Sequence, residues 1–142
     1  MMSYAQPTQE EFKALLENSS TIAVVGLSDD PTRTSHLVAA AMQQRGYRII
    51  PVNPKASSIL GETCYARLQD VPEHIDIVNV FRRSEFCLEV AKDAVEVGAD
   101  TLWLQQGIVN EEAYQYAKDH GLEVVMDACI KVVDAVVKPN RG

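Results

Sequence analysis

Residues 21–37 read TIAVVGLSDDPTRTSHL. An apolar run, Ile22-Ala23-Val24-Val25, passes through a glycine into a polar loop with one arginine and then a helix start. No other stretch narrows the fold as far. A strand that is apolar on every residue belongs inside a parallel sheet covered on both faces. One that runs through glycine into a helix N-terminus is the usual opening of a nucleotide-binding α/β fold. At such a turn the first N–H groups of the helix lack intrahelical partners and the helix dipole favours an anion. The expectation is that this turn holds the pyrophosphate of a nucleotide-like ligand.

The remaining pattern supplies the rest of such a fold. Thr8-Gln9-Glu10-Glu11 is a capping box, and Phe12, Leu15 and Leu16 give one apolar stripe, so a helix is expected over about residues 8–17, ended by Asn18-Ser19-Ser20. A strand follows over 21–26 and a helix over about 35–45, with Leu37, Val38, Ala41 and Met42 inward and Gly46 closing it. The second strand is 47–52; Pro51 and Pro54 are expected to exclude further regular pairing. Residues 61–67 read as a turn with a short extended piece, and 68–72 as one helical turn. A strand over 75–81 leads to a helix over 84–97 capped by Ser84. A strand over 101–104 leads to a helix over 110–120 capped by Asn110, with Glu111 and Glu112 in its first turn. A last strand over 122–125 precedes a short helix or extended tail over 129–137, and residues 138–142 read as frayed. Strands alternate with helices, so the fold class is α/β: a Rossmann-like, doubly wound, mostly parallel sheet with helices on both faces. Ligands in such folds bind beyond the carboxyl ends of the strands, where the strand order reverses.

The totals restrict the ligand. With 142 residues one domain is expected, residues 1–142, with 1–20 as an N-terminal helical segment. A net charge of −7 and a pI near 4.9 exclude a general nucleic-acid or anionic-membrane surface, so an anion site must be a local cluster of donors. Cys64, Cys87 and Cys129 are far apart and follow no metal-ligand or disulfide spacing. The start, MMSYAQPTQEEF, has no signal-peptide pattern, and no apolar run reaches membrane-spanning length. A reducing cytoplasm is the expected location.

A nicotinamide dinucleotide is the first candidate. Its GxGxxG fingerprint fails here, since Ser28 and Pro31 stand where the second and third glycines should be. The second strand ends in Val52-Asn53, with no acid for the ribose hydroxyls. Cations choose among the remaining ligands: Arg33, Lys55, Arg82 and Arg83 sit on three loops at one edge, which suits several phosphate groups. Coenzyme A carries a pyrophosphate and a ribose 3′-phosphate.

At this point GLSDDPTRTSH, VNPK, GETCYARL, VNVFRRSE, WLQQGI and MDAC, taken in order over about residues 20–133, resemble the small stand-alone coenzyme A-binding proteins of bacteria and archaea. These are similar to the N-terminal, coenzyme A-binding domain of the succinyl-CoA synthetase α subunit. The resemblance implies a Rossmann-like domain with coenzyme A as cofactor. It implies Gly26, Leu27 and Ser28 at the pyrophosphate turn with Arg33 and Ser35 beside them. Asn53, Pro54 and Lys55 would approach the adenosine and its phosphate, Phe81 and Arg82 would flank the crevice, and Gln106 with Gly107 would lie along the pantetheine. The synthetase works through a phosphorylated histidine in a further domain; His36, His74 and His120 match no such role, so no catalytic residue and no metal site are assigned.

Each assignment has a plainer alternative. Arg33 and Lys55 can be solvated, Ser35 can be the N-cap of its helix, Asn53 can open an Asn-Pro turn, and one of Arg82 and Arg83 should face solvent. Trp103 reads as core. Cys129 can be inert, or can form a mixed disulfide with a thiol ligand under oxidation. Three functions compete: a module that binds coenzyme A or an acyl-CoA, an NAD(P)-type enzyme, and a coenzyme A-binding subunit serving a larger ligase or transferase in trans. A protein partner or homo-oligomer belongs with the third.

Overall fold

The apolar run after Ser20 becomes a central strand. In the computed structural model, which describes residues 4–141, the elements in chain order are α1 (Gln9–Glu17), β1 (Thr21–Val25), α2 (Thr34–Gln44) and β2 (Arg48–Val52). A hairpin of β3 (Ser58–Ile59) and β4 (Glu62–Thr63) and a 3-10 turn (Leu68–Asp70) come next. Then follow β5 (Ile77–Val80), α3 (Cys87–Glu96), β6 (Thr101–Leu104), α4 (Glu111–Asp119), β7 (Glu123–Val125) and α5 (Ile130–Val137). The main sheet has the order β2-β1-β5-β6-β7 and every pair in it is parallel. It is a Rossmann-like α/β fold, and its order reverses between β1 and β5.

Successive strand residues point to opposite faces, and the core divides accordingly. Ile22, Val24, Ile49, Ile77, Trp103 and Val125 pack beneath α1, α2 and α5 with Phe12, Leu16, Val38 and Met42. Ala23, Val25, Ile50, Val78, Val80, Leu102 and Leu104 pack beneath α3 and α4 with Val90, Ala91, Ala113 and Ala117. Trp103 is fully buried, and its Nε1 donates to the Ala128 carbonyl at 2.8 Å.

Several local expectations change. Pro51 lies inside β2 and pairs with Val24. β2 is an edge strand, where a missing N–H is tolerated, and Pro51 lends its carbonyl to Tyr65 N–H (3.0 Å) on the outer side. The extended piece near Gly61 is a true hairpin, turned by Leu60 and Gly61, both at positive φ. Ser84 caps no helix: it sits in a 3-10 turn (Ser84–Phe86) ahead of α3, and its hydroxyl donates to the Val109 carbonyl. Thr8 and Asn110 cap as expected. The tail does not hang free over the described residues: Arg141 donates to the carbonyls of Leu16 (3.2 Å) and Ser19 (2.9 Å) and lies 3.6 Å from the Tyr47 ring centroid. Gly142 and Met1 to Ser3 lie outside the described residues.

Candidate functional site

Gly26 is where β1 and β5 part. Its φ is +87°, and a Cβ there would stand 2.5 Å from the Phe81 carbonyl oxygen and 3.3 Å from Arg82 Cδ. Only glycine fits both the backbone angle and the space. The close approach brings the loops after β1 and β5 together and leaves an opening on each side of their contact.

One opening, a cavity of about 360 Å³, lies over the start of α2 and is lined by Gly26, Ser28, Arg33, Thr34, Ser35 and Phe81. The loop leading to it is braced by its own side chains. Ser35 Oγ accepts from Ser28 N–H at 3.0 Å, Ser28 Oγ accepts from Asp30 N–H at 3.0 Å, and His36 Nδ1 lies 2.9 Å from the Ser28 carbonyl. Thr32 N–H and hydroxyl bond the Asp30 carboxylate, holding its pKa below the usual range. Arg33 occupies the N-cap position of α2 and makes no capping bond, and no acid stands in the first turn. By contrast α1 and α4 are capped by Thr8 and Asn110 and have Glu10, Glu11, Glu111 and Glu112 in their first turns. The start of α5 is equally bare but lines neither opening, whereas the positive end of α2 faces the cavity. Arg33 is 73% exposed along its side chain and 3.9 Å from Asp30, a contact too open to neutralise it.

The other opening, about 430 Å³, lies on the α3 side at the ends of β1 and β2. Val25, Val52, Leu68, Phe86 and Val90 give it apolar surface, and Arg67, Arg82, Lys92, Glu89 and Asp93 give it charge. The Arg82 guanidinium sits 4.6 Å from the Phe86 ring centroid. A third cavity, about 410 Å³ at the opposite edge of the sheet, is lined by Glu11, Asp100 and Glu123 and by no lysine or arginine, so an anion is disfavoured there.

The residues expected at the site fall into three groups. Gly26, Ser28, Arg33, Ser35 and Phe81 meet at the smaller cavity, and Arg82 lines the larger. Leu27 and Asn53 support them from behind. Leu27 is fully buried, and Asn53 Nδ2 donates to its carbonyl at 2.9 Å while Asn53 Oδ1 accepts from Lys55 N–H at 2.8 Å. Asn53 therefore locks the β2 loop to the β1 loop. Pro54, Lys55, Gln106 and Gly107 are exposed and line neither cavity. Ser35 is not the N-cap; the helix begins one residue earlier and Ser35 is buried in its first turn.

Other residues do not stand out in the sequence. Thr34 lines the smaller cavity as the first residue of α2; reading Ser35 as the cap hides it. Gln105, 4% exposed, accepts from Asn79 Nδ2 (3.2 Å) and from Ile130 N–H (3.3 Å), tying the tips of β5 and β6 to the start of α5. Its place directly after a strand is the one signal it gives. Arg67 and Lys92 carry no local signal, because a loop and a helix far apart in sequence meet only in the fold.

The model of the CoA binding domain family matches residues 20–135. The chain belongs to the CoA-binding domain family. The match takes in both cavities and all of the main sheet. Protein YneT of Bacillus subtilis is 54% identical over 132 residues, covering 93% of this chain and 98% of its own. A protein of Pyrococcus horikoshii OT3 has the same fold with a TM-score of 0.91 at 30% identity, covering 97% of this chain and 99% of its own. Acetyl-coenzyme A synthetase 1 of Ca. Korarchaeum cryptofilum matches at 28% identity and a TM-score of 0.69 over 77% of this chain but only 26% of its own. CoA-binding domains of this family thus occur both as small proteins and within a much longer synthetase.

Proposed function

We propose that this chain binds coenzyme A or an acyl-CoA across the point where β1 and β5 diverge. The pyrophosphate lies against the first turn of α2, and the adenosine lies in the larger cavity with its base on Phe86 and Arg82. The observation that carries this reading is the uncapped, acid-free start of α2 opening into a cavity beside Arg33. A helix N-terminus of this kind favours an anion by about 0.3–1 kcal/mol, and by up to about 2 where partly buried. Family membership supports coenzyme A as the anion. A nicotinamide dinucleotide is disfavoured because the tip of β2 offers Asn53, already engaged on both sides, in place of an acid for the ribose.

The lining of the smaller cavity contains donors and one cation but no carboxylate, imidazole or thiol, which supports holding rather than transforming the ligand. A reducing cytoplasm suits the three free cysteines. A second reading, a binding subunit acting in trans, is favoured by the 26% coverage of the synthetase. It predicts that adding this chain restores acyl-CoA formation to a synthetase deprived of its own matching segment.

A thermal-shift and calorimetry panel tests the main reading. A ligand at 100 times its Kd adds about 2.7 kcal/mol, which moves Tm by several degrees at this size. The expected order is coenzyme A above its 3′-dephospho form, with little effect from NAD. A shift with NAD and none with coenzyme A overturns it.

A further inference from the structure

The larger cavity is unusual for an acidic chain. Within a net charge of −7 it gathers Arg67, Arg82 and Lys92 around apolar surface. Their present partners are weak. Arg67 is 3.5 Å from Asp70 in an exposed pair, Arg82 lies over Phe86, and Lys92 lies 5.8 Å from the Tyr116 ring centroid. Among the described residues, neither Arg82 nor Lys92 is paired with a carboxylate.

The two acids of the cavity, Glu89 and Asp93, leave its three cations in excess. Asp93 accepts from Gln69 Nε2 at 2.8 Å, and Glu89 is exposed. Gln69 Oε1 in the same wall is, among the described residues, the one buried side-chain polar atom without a partner. A buried acceptor left unpaired is costly, and a hydroxyl or amine of the ligand, though not its phosphate, relieves the cost.

Resting on the coenzyme A reading above, we infer that Arg67 and Lys92, assisted by Arg82, bind the ribose 3′-phosphate. They, and not Lys55, make this chain select coenzyme A over its 3′-dephospho form. The route is continuous. Gly26 and Phe81 line the pyrophosphate cavity, their chain neighbours Val25 and Arg82 line this one, and Arg82 Cδ lies where a side chain at Gly26 would make contact, 3.3 Å from an added Cβ. A ligand with its pyrophosphate at α2 can therefore pass its ribose over that contact into the cations. An arginine forks onto phosphate oxygens and a lysine adds a compact charge. Lys55, exposed on the β2 loop, lies outside the cavity.

Isothermal titration of coenzyme A and of 3′-dephospho-coenzyme A tests this on the wild type, Arg67→Gln, Lys92→Gln, the double variant and Lys55→Gln. Both cavity cations are exposed, so the variants should fold, and unchanged Tm values confirm it. The wild type should prefer coenzyme A by about tenfold or more, a difference of about 1.4 kcal/mol. The double variant should bind the two ligands within about threefold of each other, while its affinity for the dephospho form stays near the wild-type value. Equal wild-type affinities overturn the inference and leave coenzyme A binding intact. So does a preference that survives the double substitution, or one removed by Lys55→Gln alone. Failure of the wild type to bind either ligand overturns both readings.

Discussion

At the residue scale, Gly26 concentrates the strongest demand. A non-glycine residue in the left-handed region costs roughly 1–2 kcal/mol. At Gly107, where φ is +86° and an added Cβ would meet nothing within 4 Å, that cost is all there is. At Gly26 the new methyl also meets the Phe81 carbonyl at 2.5 Å. Gly26→Ala should therefore cost at least about 2 kcal/mol more than Gly107→Ala by urea denaturation and should also weaken coenzyme A binding. Equal losses would mean that the contact with Phe81 is easily relieved. Arg33→Ala should leave stability within about 0.5 kcal/mol, because its ion pair with Asp30 is exposed, while weakening coenzyme A binding by roughly five- to tenfold. Gly26 and Arg33 are legible because an apolar run, a glycine and a helix start stand together in sequence. The bond from Ser28 N–H to Ser35 Oγ is not, because it links residues seven apart in an aperiodic loop. Ser35 therefore reads as a cap when it is a brace.

At the element scale, long periodic segments declare themselves and short ones do not. α1 and α4 come with their caps, and the apolar strands come with their burial. α5, IKVVDAVV, stays open in sequence between helix and extended tail, because β-branched residues favour strands while only tertiary contacts hold them helical. One such contact is Asp134, 6% exposed, which accepts from Tyr47 OH at 2.6 Å and from Arg45 at 3.1 Å. Burial and this bond push the Tyr47 phenol well above its usual range, so it stays a donor. Asp134→Ala strands that hydroxyl and should lower stability by about 2–4 kcal/mol, whereas Tyr47→Phe with Asp134→Asn together should cost less than the two singles summed. Full additivity, measured by chemical denaturation, would contradict the coupling.

At the scale of the whole molecule, the two edges of the sheet do different work. The carboxyl edge holds the crevice, and the amino edge holds a charge cluster of His74, Asp76 and Asp100. His74 Nε2 lies 2.9 Å from Asp100 and 3.5 Å from Asp76. The bond that His74 donates to the Asp100 carboxylate raises the His74 pKa, so its contribution is complete below about pH 6.5 and fades as pH rises through the raised value. Burial alone would raise the Asp76 pKa. The bonds from Ser20 N–H (2.7 Å), Thr21 N–H (3.0 Å) and the Ser20 hydroxyl outweigh it and lower the pKa, so that contribution holds above about pH 4 and is lost in stronger acid. Tm should therefore fall slightly from pH 6 to 8, and the fall should shrink in Asp100→Asn. An unchanged slope in that variant would mean that His74 does not set it. The alternation of strands and helices makes the layered sheet legible, and the crevice at its carboxyl edge follows. The larger cavity is hidden, because Arg67 and Lys92 converge only when the 3-10 turn after the hairpin packs on α3.

The proposed ligand crosses the β1–β5 divergence with its phosphates at the start of α2. Titrating coenzyme A into 15N-labelled protein and following the backbone amides tests this placement most directly. The largest shifts should fall on Ser28, Thr34 and Ser35, with a second group over residues 67–69 and at Arg82. Shifts gathered instead at the acidic opposite edge, near Glu11, Asp100 and Glu123, or no shifts at all, would contradict it.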